Sequence, residues 1–538
     1  MFLFSAPPRL RVKQFSTSDR IATSMISADE RTADRQIAEW LFLLTFVVYG
    51  WFYAGAGWNQ NSQFDLTRAM VEQHTFAIDR YAFNTGDVAR HGGHVYSNKS
   101  PAISWLAAIP YALVHALESN PSDPIVLGLN NYFSTLAVVV PFGALIPALL
   151  YGFARRHGWG PVWSATVALT IAFATQLMPY STMLMLHVPS AALMLVALTT
   201  RSRPLSGFAA GLATAMNYLC APLVILAMFV GNRQPGPSTA ERRRRNVVPG
   251  ALSYLLGALP PLLALVTYDK ICFGSFTTIS IAREDARFLQ PDAVMGIFGR
   301  PSLEALYGIT ISPYRGLFYF SPVLIMALGG ATLWLRSSLE RRGSDNSAAG
   351  QAPATTLAII AVLSAVFFGF NVTFNGWEGG FGVGGRYLVP LIPLWGMAML
   401  YCRSWLRPAL VSLAVLSFVI NFAATAVDPQ PSATIPRPLT QYILPLLTTG
   451  HFGADVPITA PWSSRTFTGH TSVNRLAHDE AVVFSRHLPG SAAAEWSSFN
   501  LGEPFFGAGN AASLIPIVLI LAGGTVAILR KARRVQAA

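Results

Sequence analysis

Apolar residues in this chain come in long runs, separated by short polar stretches that mostly carry arginine or lysine. A helix that crosses a bilayer needs about 20 apolar residues. Such runs recur from residue 37 to residue 529 and predict crossings at 37–57, 131–153, 161–180, 182–200, 247–267, 316–335, 354–370, 387–401, 410–427 and 513–529. The segment 205–230 has basic residues at both ends, so it is expected to form two short helices turning near Asn217. The sum is about twelve crossings, and the fold class is an all-α polytopic membrane protein.

The positive-inside rule sets the orientation. Arg9, Arg11, Lys13, Arg20, Arg31 and Arg35 put the first end inside, and Arg530, Lys531, Arg533 and Arg534 put the last end inside. Arg155, Arg156, Arg201, Arg203, Arg242 to Arg245, Arg336, Arg403 and Arg407 mark the inner turns between. The run 101–117 breaks this rule if it crosses. It is short and holds Pro101 and Pro110, so it is expected to lie in or dip into the outer leaflet. The domain reading is a cytoplasmic tail at 1–36, a transmembrane core at 37–427 with an outer loop at 58–117, an outer loop at 428–510, and a last crossing with a basic tail at 511–538. Residues 1–35 hold no apolar core of signal-peptide length, so the tail is not expected to be a cleaved signal.

Composition sharpens this picture. Charged residues are 12% of the chain and hydrophobic residues 52%, whereas soluble domains carry about 25% charged residues. A soluble enzyme is excluded. The net charge of +12 does not point to nucleic acid, because the basic residues gather at segment ends. Cys220, Cys272 and Cys402 show no metal spacing and fall at different depths, so neither a metal nor a disulfide is expected. No inverted repeat is visible, which counts against a secondary transporter.

One stretch departs from the rest. Residues 58–105 carry charge and turn residues in a chain that has few of either. A short helix is expected to start near Ser62, which would cap it, with Asp65, Arg68 and Glu72 on roughly one face. A turn region rich in Gly and Asn follows. Then comes Tyr96-Ser-Asn-Lys99-Ser-Pro101, with a lysine just ahead of the apolar helix, where the helix dipole also favours an anion.

The outer side holds more cations than the rule predicts: Arg68, Arg80, Arg90, Lys99, Lys270, Arg283, Arg287, Arg315 and Arg386. A lipid-linked phosphate is one reason for them. Surface pairing with Asp65, Asp79, Asp87, Glu284, Asp285 and Glu378 is the other. The glycine-rich segment 375–390 delivers Trp377, Glu378 and Arg386 outside, which suits either a sugar site or tight helix packing. Arg315 stands at the mouth of an aromatic helix, where snorkelling is the competing reading. His187, inside an apolar run, is either a functional residue or a packed histidine.

The order of these motifs resembles the GT-C superfamily of membrane glycosyltransferases, in particular the branch of lipid A aminoarabinose transferases and protein O-mannosyltransferases. Leu66-Thr-Arg68-Ala-Met70 looks like the end of that branch's first outer helix, and Lys99-Ser100-Pro101 like its Lys-Pro-Pro motif. His187-Val-Pro, Cys272-Phe-Gly-Ser275, Ser312-Pro-Tyr-Arg315-Gly and Gly385-Arg386-Tyr-Leu-Val-Pro390 look like motifs of bacterial relatives. The resemblance covers most of residues 40–405. It implies a GT-C-like bundle in the inner membrane of a bacterial cell. It also implies transfer of a sugar from a polyprenyl-phosphate donor to a lipid, glycan or protein acceptor on the outer face, in contact with membrane lipid and without a cofactor.

One departure bears on mechanism. Asn59-Gln60 stands where the branch carries an acidic pair, and Asn cannot take a proton. The base is then Asp65, or another outer carboxylate such as Asp79 or Glu378, or the activity is absent. On this reading Lys99 holds the donor phosphate, helped by Arg68, Arg386 and Arg315. Asn59, Gln60, Tyr96, His187, Trp377 and Glu378 meet the substrate. The competing expectation is a protein that binds or translocates a lipid phosphate without chemistry. Whether Asp65 faces the same cavity as Lys99 discriminates between them.

Overall fold

A computed structural model describes residues 28–55, 57–117, 124–229, 247–344, 348–433, 435–450, 452, 498–507 and 509–538. Most of the expected tail 1–36 and of the expected outer loop 428–510 lies outside the described residues.

The apolar runs and the polar stretch 58–72 become helices: α1 (Ala28–Gly50), α2 (Trp58–Glu72), α3 (Ala102–His115), α4 (Pro124–Arg156), α5 (Pro161–Phe173), α6 (Leu177–Tyr180), α7 (His187–Thr199), α8 (Arg203–Met216), α9 (Ala221–Ala227) and α10 (Val247–Phe273). They continue as α11 (Leu303–Thr310), α12 (Leu317–Phe320), α13 (Ile325–Ser344), α14 (Ala348–Thr373), α15 (Ile392–Met399), α16 (Arg407–Val427), α17 (Leu444–Thr449), α18 (Glu503–Phe506) and α19 (Ile515–Ala537). Among the described residues six are long and apolar enough to cross a membrane: Val126–Arg156, Pro249–Phe273, Pro322–Glu340, Ala354–Thr373, Ser404–Val427 and Ala511–Ala537. Ala102–His115, Pro161–Phe173, His187–Thr199 and Tyr218–Ala227 are apolar but shorter. The expected count of about twelve is therefore not reached by length alone.

The surface agrees with a lipid solvent. Leu252, Leu255, Leu256, Leu259 and Leu263 of α10 are all exposed. In water a continuous apolar face of this kind drives aggregation; against hydrocarbon it costs nothing. Without a hydrophobic drive between helices, close approach depends on small residues. A Cβ on Gly207 of α8 would lie 1.9 Å from the Tyr254 carbonyl oxygen of α10, and one on Gly257 would lie 2.0 Å from the Pro204 oxygen. These glycines let α8 and α10 touch backbone to backbone.

Three breaks in regular structure position the site. The expected crossings 161–180 and 182–200 are interrupted, because α5 ends at Phe173 and α7 begins only at His187. Chain between them is thus free to line an interior space. The break at Asn217 is present as expected: its Oδ1 accepts from the Leu219 amide at 3.1 Å and ends α8. The outer stretch differs from expectation. Helix α2 starts at Trp58, after an extended Gly57, so Ser62 lies inside the helix and caps nothing. After α2 the chain forms a hairpin, β2 (Val88–His91) with β3 (His94–Ser97), that the sequence reading left as turns. Gly92 and Gly93 make its turn at φ +60° and +85°, the backbone a tight two-residue hairpin demands.

The cap formed by α2 and the hairpin has its own small core. Leu66, Ala69, Ile78, Tyr81, Val88 and Ala89 pack on Tyr268, Cys272 and Phe273 at the C-terminal end of α10. Each large side chain buried this way contributes roughly 1.5–3 kcal/mol. Strand β1 (Phe52–Tyr53) pairs antiparallel with β4 (Phe499–Asn500), tying the exit of α1 to the entry of α19.

Candidate active site

Helix α2 is polar yet buried through residue Arg68. An unpaired buried polar group costs about 1–3 kcal/mol, so its partners define where the helix sits. Ser62 Oγ donates to the Asp87 carbonyl at 2.5 Å and lies 2.7 Å from Ser97 Oγ. Asn61 Nδ2 donates to the Asn84 carbonyl at 2.9 Å. Ser104 Oγ of α3 donates to the Gln63 carbonyl at 2.7 Å. Gln60 Nε2 donates to Gln430 Oε1 at 2.7 Å, and Gln430 Nε2 donates to the Gly55 carbonyl at 2.8 Å. The helix is thereby pinned to the hairpin, to α3 and to the segment after α16. The hairpin ends at Ser97, so this framework fixes Asn98 and Lys99.

These elements enclose a cavity of about 350 Å³. Asn59, Gln60, Asp87, Asn98, Lys99 and Glu284 contribute to its wall, as do His187, Glu378, Arg386, Tyr387 and Gln430. Phe288, Met295, Phe298, Phe370 and Phe374 add an apolar face. A charged head group and a hydrocarbon chain can both be accommodated.

Lys99 Nζ pairs with Asp87 Oδ2 at 3.0 Å, both largely enclosed. Next to it Asn98 Nδ2 donates to Glu284 Oε1 at 2.7 Å. A 3-10 turn, Ser280–Arg283, brings Glu284 in. Ser280 Oγ donates to the Asn98 carbonyl at 2.9 Å, and the Asp285 amide donates to the Val88 carbonyl at 3.0 Å. Burial pushes the Glu284 carboxyl up to about 7; Asp87 and Asp285 push the same way, and Lys99 and Asn98 oppose.

Glu378 and Arg386 come from the glycine-rich loop. Gly384 has φ +63°, and a Cβ there would lie 2.0 Å from Gln176 Nε2. Only glycine meets both demands. Burial pushes the Glu378 carboxyl up to about 7 against the pull of Arg315 and Arg386. Arg386 Nη2 donates to Tyr387 Oη at 3.1 Å and its guanidinium lies 5.0 Å from the Tyr387 ring centroid. It forms no ion pair among the described residues. His187 stands edge-on to Tyr180 and Tyr387, with ring centroids 5.9 and 5.8 Å away. Neither of its ring nitrogens has a hydrogen-bond partner among the described residues.

Known proteins give a fold-level likeness only. No family model matches the chain. No curated protein matches it. Two solved structures are similar. One is ArnT from Cupriavidus metallidurans in the apo state, at 15% identity and a TM-score of 0.42, over 91% of this chain and 75% of that one. The other is the same protein bound to undecaprenyl phosphate, at 15% identity and a TM-score of 0.40, over 92% of this chain and 77% of that one.

The cavity collects Lys99, Arg386, Asn59, Gln60, His187 and Glu378 from the residues singled out in the sequence. It does not collect the others. Asp65 faces away, where it accepts from Asn84 Nδ2 at 3.2 Å. Arg68 is enclosed with Glu72, its Nε donating to Oε1 at 2.8 Å, and stacks 4.2 Å over the Tyr81 ring. Arg315 donates to the Gly382 carbonyl and, at 2.7 Å, to that of Gly380, so it braces the glycine loop from behind. Trp377 is packed edge-on against Tyr314, with ring centroids 6.2 Å apart. Tyr96 lies on the hairpin against Phe273 at 5.5 Å. Asp79, the other alternative base, accepts from the Val95 amide at 2.7 Å and pairs with His94 on the hairpin surface.

Asp87 and Glu284 were read from the sequence only as counter-charges. Both lie on the cavity. Asp87 had a usable signal, being the one carboxylate between the first outer helix and Lys99 that follows a glycine in a turn stretch. Glu284 had none, since it sits in an aperiodic loop. Among the described residues no three His, Cys, Asp or Glu side chains converge as metal ligands would.

Proposed function

We propose that the protein is an integral membrane glycosyltransferase that moves a sugar from a polyprenyl-phosphate donor to an acceptor at the outer face of a cell membrane. The observation that carries this reading is the junction, in one cavity, of two cations with an aromatic wall: Lys99 and Arg386 beside Phe288, Phe298, Phe370 and Phe374. Phosphate seats between the cations, where Arg386 offers a fork of donors and Lys99 a point charge. The isoprenoid leaves along the aromatic face. Asn59, Gln60 and His187 offer hydrogen bonds to sugar hydroxyls.

As the anomeric C–O bond breaks, negative charge grows on the leaving phosphate. Cations fixed in a poorly hydrated site stabilise that charge without reorganising. The acceptor hydroxyl must lose a proton in the same event. With Asn at position 59 and Asp65 turned away, Asp87, Glu284 and Glu378 are the carboxylates on the cavity wall.

Binding or translocation of a lipid phosphate without chemistry is the second reading, favoured by the absence of Asp65 from the cavity. The experiment is turnover in lipid nanodiscs with radiolabelled polyprenyl-phosphate sugars, scoring release of free polyprenyl phosphate. Release that disappears in Lys99→Ala while the variant still inserts supports the transferase. Binding without release supports the second reading.

A further inference from the structure

We propose that Glu284 is the catalytic base of this cavity, taking the acceptor proton through Oε2. The proposal rests on the transferase reading and deepens it.

Geometry separates Glu284 from its two rivals. Asp87 is the counter-charge of Lys99, its Oδ2 3.0 Å from the ammonium, whereas Glu284 is held by a neutral amide. Glu378 is 3% exposed, enclosed by the glycine loop. Glu284 keeps part of its surface open and lines the cavity. Its Oε1 is held by Asn98 Nδ2 at 2.7 Å, and this is the one hydrogen bond its side chain makes to the described residues, which leaves Oε2 open. A carboxylate oriented through one oxygen, with the other free, is what a general base needs.

The clamp on Glu284 is tight. The Asp285 amide bonds to the Val88 carbonyl at 3.0 Å, and Arg90 Nε lies 3.5 Å from Asp285 Oδ2. Ser280, at the start of the turn, bonds to the Asn98 carbonyl and faces Tyr218 Oη at 3.3 Å. Hairpin, turn and base therefore form one unit, and its other product is the placement of Lys99. The residue that holds the proton acceptor and the phosphate cation are neighbours in the chain, Asn98 and Lys99.

An acceptor oxygen lone pair forms the bond to the anomeric carbon. The bond from that carbon to the phosphate oxygen breaks, and its electron pair stays on the polyprenyl phosphate beside Lys99 and Arg386. The hydroxyl proton passes to Glu284 Oε2 and leaves later to the outer solution. Glu284 faces Lys99, Asp87, Asp285 and, through Asp285, Arg90. Burial raises its carboxyl to about 7, which strengthens it as a proton acceptor over an ordinary glutamate.

The test uses the full chain in nanodiscs with polyprenyl-phosphate glucose, mannose and aminoarabinose as donors and membrane lipid extract as acceptor. Glu284→Gln keeps an oxygen for Asn98, so it is expected to insert and to bind radiolabelled polyprenyl phosphate like the wild type. Its turnover is expected to fall about 100- to 10,000-fold. Wild-type turnover should rise with pH through about 7, and the residual activity of E284Q should lack that limb. Wild-type turnover and an unchanged limb in E284Q overturn the assignment alone. If E284Q does not insert, Glu378→Gln decides, because Glu378 is raised to the same range: a limb near 7 that survives in E378Q supports Glu284 as the base, and its loss there overturns the assignment. If the wild type releases no polyprenyl phosphate from any donor, the transferase reading falls, and this proposal with it.

Discussion

Glu72 and Glu284 belong to the same cap, and each lies beside a cation, yet their surroundings drive them in opposite directions. Glu72 accepts from Arg68 Nε at 2.8 Å, Tyr81 Oη at 2.9 Å and Tyr111 Oη at 2.6 Å. Burial alone would raise its carboxyl; those hydrogen bonds outweigh burial and hold it below the ordinary 4.5. Glu284 has one donor, Asn98, and burial prevails, raising it to about 7. In the first cluster the charges and hydrogen bonds are spent on one another, and the result is architecture. In the second an oxygen is left over at the edge of a cavity, and the result is reactivity. A cation beside a carboxylate does not mark a site; unspent hydrogen-bonding capacity facing a cavity does.

The comparison can be broken most directly at Glu72. Glu72→Ala leaves the enclosed Arg68 without its carboxylate and is expected to cost about 3–5 kcal/mol of stability, read as a lowered unfolding midpoint in detergent. Turnover per folded molecule should remain near normal. Because the folded carboxyl lies below its unfolded value, the contribution of Glu72 is full above about 4.5 and is lost as pH falls further. Acid should therefore loosen the cap.

Arg386→Ala tests the reactive side. It is expected to lower turnover about 100- to 1,000-fold with little change in the unfolding midpoint, since Arg386 has no ion pair among the described residues to lose. A large stability loss with normal turnover would move Arg386 into the architectural class. Gly384→Ala should cost about 1–3 kcal/mol, because it forces a Cβ into a left-handed backbone at φ +63° and against Gln176. The smallest effect is expected at Arg90→Ala. Its side chain is 62% exposed and its pair with Asp285 is 3.5 Å long, so stability should change by no more than about 0.5 kcal/mol.

The helical membrane architecture was legible because long apolar runs have few alternatives. Lys99 was legible too, since a lysine just before a proline-started apolar helix is conspicuous in a chain so poor in charge. The facing of α2 was not. Its start is set by the extended Gly57, five residues before Ser62, and its rotation by partners far along the chain such as Asn84 and Gln430. The pattern Asp65, Arg68, Glu72 did lie together in part, as Arg68 and Glu72 show, but the face turned into the cap rather than toward the cavity. Glu284 was hidden because its role comes from a loop docking against a hairpin, a pairing that carries no periodicity. His91-Gly-Gly-His94 did announce that hairpin, being two glycines between short β-prone segments.

The pairing of β1 with β4 has a consequence for how the protein is made. Residues 52 and 53 leave the ribosome long before their partners 499 and 500, with α2 to α17 made in between. The exit of α1, from which α2 and the Asn59 and Gln60 wall follow, is tied down only when that later strand arrives, and Gln60 gains its partner only with Gln430. A nascent chain can insert helix after helix and still lack a finished cavity. Premature termination then yields a membrane-embedded but inert product, rather than a half-built enzyme loose among reactive lipid phosphates.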